Sequence, residues 1–171
     1  NDISKYWVAW SSIMTQEGNV IRGVANGTWP RIWNTCTRDI IFDTASKYTI
    51  SFKIRGDSNR NTSYGIMDPG GRDAVFSATA SITTEWKQVV HTFTPLRSGS
   101  ELYTLNLQFY TGGTTGDTTS WIELQDLKLE KGNTATDWTP APEDVDEAIS
   151  TVDTKYSNKV AEINTTIDGI T

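Results

Sequence analysis

The chain has 171 residues, a formal net charge of −6, 36% apolar residues, and seven Trp, six Tyr and five Phe. An acidic chain with no basic tract argues against nucleic acid, whose phosphates demand clustered Lys and Arg. No apolar run approaches the ~18 residues needed to cross a bilayer, and the single Cys36 excludes a disulfide framework or a CxxC metal or redox motif.

The chain divides by composition. All seven Trp lie between Trp7 and Trp138. Residues 1–142 carry 13 Lys+Arg against 14 Asp+Glu, while residues 143–171 carry 2 against 7; the balances of −1 and −5 sum to −6. The expected organisation is a body over 1–142 and a differently built tail over 143–171. Asn1 in place of an initiator Met reads as a piece of a longer chain.

The body alternates β-branched and aromatic runs with Gly, Asn, Asp and Pro clusters, the rhythm of an all-β domain. Early strands are expected at Tyr6–Trp10, Val20–Val24, Arg31–Thr37 and Ile40–Phe42. Tyr48–Arg55 is the clearest: Tyr48, Ile50, Phe52 and Ile54 point one way, and Thr49, Ser51, Lys53 and Arg55 the other. A short strand near Tyr64–Met67 closes on the turn signal Asp68-Pro69-Gly70-Gly71. Residues 74–82 and 86–94 follow, with Val89, His91 and Phe93 sharing a face. In 102–110, Tyr103, Leu105, Leu107 and Phe109 oppose Leu102, Thr104, Asn106, Gln108 and Tyr110. The last strand begins at Trp121. Ile122 and Leu124 have one parity and Leu127 and Leu129 the other, so a β-bulge near Gln125–Asp126 is needed to return both pairs to the core. Eight to ten such strands predict a two-sheet antiparallel β-sandwich, with a closed up-and-down barrel as the weaker alternative.

After Pro140-Ala141-Pro142 the period changes. Val145, Ile149, Val152, Tyr156, Val160, Ile163, Ile167 and Ile170 recur in steps of four and three, a helix seam with one stutter. Pro142 followed by Glu143 and Asp144 suits a helix start. The other positions are polar, so the seam needs copies of itself, and its Ile and Val content favours a homotrimeric coiled coil.

Two stretches resemble known families. Residues 121–144, WIELQDLKLEKGNTATDWTPAPED, resemble the closing segment of modules in tail-tip and baseplate proteins of bacteriophages infecting Gram-positive bacteria, where it leads into a helical stalk. YTISFKIRG, EWKQVVHTFT, LQFYTGG and the closing strand together are similar to the family 4/9/22-type carbohydrate-binding modules, jelly rolls of galactose-binding type. The resemblance implies a non-catalytic module that binds host cell-wall polysaccharide, carried in the virion beside other tail or baseplate proteins. The alternatives are a purely structural tail module and an accessory domain of a cell-wall glycan hydrolase.

Such modules bind glycans on one sheet face, where rings stack on sugar C–H faces and polar side chains bond hydroxyls. The polar parity of the strands gives the expected carbohydrate-binding set: Lys53, Arg55, Tyr64, Asn106, Gln108, Tyr110, Trp121 and Glu123. Trp10, in WVAW, matches a strand where related modules carry a binding aromatic. Blander roles stand beside these: Lys53 and Arg55 as solubilising charges, Trp121 as an edge plug, the Asn106–Tyr110 face as ordinary solvated sheet. Trp86 and Trp138 are assigned to packing. The related sandwiches often hold a structural Ca2+ with an aspartate of the last strand, here Asp126; Glu17 and Asp2 are the only acids the first strands offer, so no cofactor is expected as a rule. Catalysis finds no support. Glu123 and Asp126 flank the expected bulge rather than one bond, the lone His91 lies in register with core residues, and no nucleophile elbow, HExxH or P-loop is present.

Overall fold

The computed structural model describes residues 5–70, 73–99, 105–139 and 142–169; at 142–145, 147 and 148 it describes the backbone alone. The chain forms two compact units, Asn1–Trp138 and Thr139–Thr171.

The first unit contains ten strands: β1 Trp7–Trp10, β2 Ser12–Glu17, β3 Val20–Ala25, β4 Arg31–Asn34, β5 Tyr48–Gly56, β6 Arg60–Met67, β7 Ala74–Ile82, β8 Lys87–Phe93, β9 Asn106–Tyr110 and β10 Trp121–Lys131. They form two antiparallel five-stranded sheets ordered β1-β4-β9-β6-β7 and β2-β3-β10-β5-β8. The all-β sandwich expected from the alternating pattern is therefore the fold, and a closed barrel is not. We name each sheet by its central strand, β9 or β10.

Both sheets turn one apolar face inward, giving a core that includes Ile32, Ile50, Phe52, Ile54, Tyr64, Ile66, Leu107, Phe109, Ile122 and Leu124. Aromatic rings link the layers: Phe52 of the β10 sheet meets Tyr64 and Phe109 of the β9 sheet edge-on at 5.1 and 5.2 Å. His91 lies in this layer too, stacked on Phe76 at 5.6 Å.

The bulge in β10 falls where the hydrophobic parity breaks, between Gln125 and Lys128 against β5. Asp126 there has φ of 56°, a left-handed conformation that Asp tolerates better than most residues. Leu127 and Leu129 thereby rejoin the core edge.

Some strand expectations need correction. β2 had no counterpart among them. Its run SIMTQE puts Ile13 and Met14 side by side and shows no clean alternation; Met14 packs on the core while Ile13 is exposed. The two-residue Gly18-Asn19 turn, with Gly18 at φ of 60°, joins β2 to β3 as a hairpin. Ile40–Phe42 is no strand: Phe42 alone is buried, and Ile41 points outward. The start of the expected strand 102–110 lies outside the described residues.

In the second unit, α1 runs Pro142–Asp168, with the proline at the first turn where its missing N–H leaves no bond unmade. Ile149, Val152, Tyr156, Val160, Ile163 and Ile167 are all exposed along it. Ile170 and the side chain of Val145 lie outside the described residues. No helix among the described residues is long and apolar enough to cross a membrane.

Candidate functional site

A sandwich has two outer faces, and the residues expected to form one site are split between them. Asn106, Gln108, Tyr110 and Trp10 belong to the β9 sheet; Lys53, Arg55, Trp121 and Glu123 belong to the β10 sheet. Tyr64 is on neither. It is 2% exposed and stacks on Phe109, its cross-strand partner, at 6.0 Å. Burial pushes its phenol up to about 12. Tyr64 shares parity with Ile66 two residues on, and that places it in the core.

The outer face of the β9 sheet is organised by register. One cross-strand row runs Trp10–Arg31–Tyr110 over β1, β4 and β9. The next runs Val8–Trp33–Gln108–Gly65–Ser77 and reaches β7. Ile32, between Arg31 and Trp33, is wholly buried in the core, so its two neighbours point outward. The Trp10 and Trp33 rings stack at 6.4 Å, and Trp29 meets Tyr110 edge-on at 6.4 Å. Arg31 lies between them, its Cζ 5.7 Å from the Trp33 ring and 5.6 Å from that of Tyr110. Trp10 and Trp29 are 53% and 51% exposed, large for indoles set beside buried side chains.

Loops hold this face in place. Gln108 Nε2 donates to the carbonyls of Met67 and Asp68, each at 2.9 Å, which fixes the amide with its oxygen turned the other way. Arg31 donates from Nη1 to Tyr110 Oη at 3.0 Å and from Nη2 to the Pro69 carbonyl. Trp29 has φ of 53° directly before Pro30. A left-handed non-glycine residue costs roughly 1–2 kcal/mol, and strain of this kind collects at ligand sites. The Trp29 N–H bonds the Thr114 carbonyl at 3.2 Å. That loop is tied by Asp117, whose carboxylate accepts from the N–H groups of Gly113, Thr119 and Ser120. Burial works against the charged form of Asp117, but these three bonds outweigh it and hold its carboxyl well below the usual range.

Gly65 belongs to the floor. A Cβ there would come within 2.4 Å of the Phe76 carbonyl oxygen and 2.9 Å of the Ser77 Cα, both backbone of the neighbouring strand, so the position requires glycine. Asn106 is fully buried at the start of the central strand β9 and accepts from Arg38 Nε at 2.8 Å.

Four buried side-chain polar atoms among the described residues have no hydrogen-bond partner: Arg31 Nε, Trp33 Nε1, Gln108 Oε1 and Arg97 Nε. Three of the four lie in the two rows just described. Each such atom costs about 1–3 kcal/mol when left unmet. Trp33 Nε1 is a donor and Gln108 Oε1 an acceptor on directly paired residues, the complement that a hydroxyl offers.

The outer face of the β10 sheet is satisfied internally. Glu123 sits between its cross-strand neighbours Arg22 and Arg55 and bonds them at 2.9 and 2.5 Å. Burial raises the Glu123 carboxyl, but the bonds from Arg55 and Arg22 prevail and hold it below its ordinary value. Arg22 lies 4.0 Å over Trp121 and Arg55 4.8 Å over Trp86. Lys53 pairs with Asp126 at 2.8 Å. The Asp126 carboxylate also accepts from Asn19 Nδ2 at 3.0 Å. Asp126, the aspartate expected at a Ca2+ site, is thus engaged by Lys53 and Asn19. Asp2 lies outside the described residues, among which no cluster of three or more His, Cys, Asp or Glu could hold a metal.

Sequence reasoning left out Arg31, Trp33 and Trp29. The available signal was the alternation around Ile32, immediately after Pro30.

No protein-family profile matches the chain, and no curated protein does. Solved structures do. A family 4 carbohydrate-binding module, CBM4, matches with a TM-score of 0.61 at 16% identity, over 74% of this chain and 95% of that one. The N-terminal cellulose-binding domain of Cellulomonas fimi β-1,4-glucanase C matches at 0.59 and 15% identity, over 77% and 91%. A mutant of a family 29 carbohydrate-binding module complexed with cellulohexaose matches at 0.53 and 10% identity, over 73% and 78%. At these identities the likeness establishes the fold: the sandwich is built like the jelly rolls of carbohydrate-binding modules.

Proposed function

We propose that the chain is a non-catalytic carbohydrate-binding module whose site is the outer face of the β9 sheet. The observation that carries the reading is the coincidence, on one face, of the exposed indoles of Trp10 and Trp29 with three buried polar atoms that lack partners among the described residues. Trp10, Trp29 and Tyr110 offer ring faces and edges; Trp33 Nε1 and Gln108 Oε1 are buried, and would give a donor and an acceptor to sugar hydroxyls once the side chains covering them move aside. Two structural neighbours, a cellulose-binding domain and a module complexed with cellulohexaose, support the same ligand class.

A finer proposal places this module in a bacteriophage tail or baseplate protein, in the virion, where it attaches to host cell-wall polysaccharide. The closing segment LEKGNTATDWTPAPED and the exposed apolar stripe of α1 support it. The stripe would pack against two further copies of the chain, and three sites on one stalk would gain avidity through effective concentration. A chain extended by several heptads should sediment as a trimer; a strict monomer would overturn the stalk. A module attached to a glycan hydrolase is the second reading. An α-L-arabinofuranosidase chain matches over 23% of its length at a TM-score of 0.55.

The test is a glycan array with Gram-positive wall polysaccharides included, run with the wild-type chain and Trp10→Ala. Binding to at least one glycan that the variant loses supports the site. Binding unchanged by the variant would move it elsewhere, and no binding to any glycan would reject the function.

A further inference from the structure

We infer that the saccharide taken by this face is anionic, and that Arg31 meets its carboxylate or phosphate; the inference rests on the binding reading above. Among the described residues only two charged side chains are buried, Arg31 at 7% and Glu123 at 8% exposure. Their surroundings differ. Glu123 has an arginine on either side. Arg31 makes no ion pair among the described residues; its protein acceptors are a phenol and a peptide carbonyl, both neutral.

Asp68 directly precedes Pro69, whose carbonyl accepts from Arg31, and its carboxylate accepts from the N–H groups of Gly70 and Asp73. Two rings flank the guanidinium, and their quadrupoles offset part of the lost hydration. They do not supply a counter-charge. A buried charge is retained where something neutralises it, and Arg31 Nε has no hydrogen-bond partner among the described residues.

Position completes the argument. Arg31 is the middle residue of the row Trp10–Arg31–Tyr110, between an exposed indole and a half-buried phenol. A sugar ring on Trp10 would carry an acidic substituent to the guanidinium without crossing another side chain of that row. The planar fork suits a carboxylate and a phosphate equally, so the shared chemistry is an oxyanion borne on a sugar ring or on its linkage.

Isothermal titration of the wild-type chain and Arg31→Gln with three probes tests this: cellohexaose, a hexamer of uronic acid, and a poly(glycerol phosphate) oligomer bearing sugar. The wild type is expected to bind one anionic probe about tenfold or more tighter than cellohexaose, with affinity falling as salt rises. The uronate and phosphate arms tell the two sources apart. Arg31→Gln, with an unchanged far-ultraviolet spectrum, should lose that preference, the anionic probe losing about tenfold more affinity than cellohexaose does. Should the variant unfold, Arg31→Lys serves instead, keeping the charge and losing the fork, with a reduced preference expected. Cellohexaose bound as tightly as either anion by the wild type, or a preference that survives Arg31→Gln, overturns the inference and leaves saccharide binding standing. No binding of any probe overturns this inference, and the glycan array then decides separately on the function.

Discussion

The two outer faces of the sandwich use similar residues to opposite ends. Each combines tryptophan and arginine with a buried polar side chain, Glu123 on one and Gln108 on the other. On the β10 sheet, Arg22 and Arg55 clamp Glu123 while Trp121 and Trp86 cover the arginines, so charge and aromatic surface are both used within the protein. On the β9 sheet, Trp10 and Trp29 remain half exposed, and Arg31 Nε, Trp33 Nε1 and Gln108 Oε1 have no partner. The first arrangement is a finished piece of structure. The second leaves three buried polar atoms unmet among the described residues. Composition alone does not mark a binding face; the balance of donors, acceptors and charges does.

The largest effect should come from breaking the finished face. Glu123→Ala leaves two arginines side by side. It should cost roughly 2–3 kcal/mol in denaturant unfolding, below the range for a fully buried pair because both arginines keep over a third of their side chains in solvent. Saccharide affinity should not change. Trp10→Ala should do the reverse, weakening binding by about ten- to a hundredfold through lost stacking area with little change in melting temperature, since the ring is 53% exposed.

How far these faces could be read in advance depends on what alternation encodes. Parity separates inside from outside, and it placed Leu107, Phe109, Ile122 and Leu124 in the core as found. It is silent on which outside. Lys53 and Gln108 have the same relation to their own cores, yet non-local pairing puts β5 beside β10 and β9 beside β4 and β6. That pairing joins residues far apart in the chain, and no local pattern records it. Arg31 and Trp33 went unseen because a four-residue strand offers a single core residue, Ile32, from which to count. Tyr64 was misplaced for the opposite reason: its hydroxyl reads as polar, while its ring dictates burial.

A smaller effect should appear on both faces with pH. Asp117 and Glu123 both have depressed carboxyl pKa values when folded. Their stabilisation is therefore fully present above the ordinary carboxylate range and is lost as pH falls through the folded values. Unfolding free energy should be flat from neutral down to about pH 5 as far as these two groups contribute, and should fall in stronger acid. Asp117→Ala should remove the part due to the loop and loosen the support of Trp29, weakening binding by less than Trp10→Ala does. A loop acid that left affinity unchanged would mean that Trp29 takes no part. The smallest effect belongs to Lys53→Ala. Its exposed pair with Asp126 is worth at most about 0.5–1 kcal/mol, and saccharide affinity should stay as it was.

The account's central claim is that ligand enters on the β9 sheet and not on the β10 sheet. The most direct measurement follows the indole N–H resonances of all seven tryptophans, assigned by single substitution, during titration with cellohexaose and with a uronic acid hexamer. The signals of Trp10, Trp29 and Trp33 should move, with Trp33 Nε1–H gaining an acceptor, while those of Trp121 and Trp86 stay in place. Movement at Trp121 and Trp86 with Trp10 and Trp33 unchanged would contradict the account.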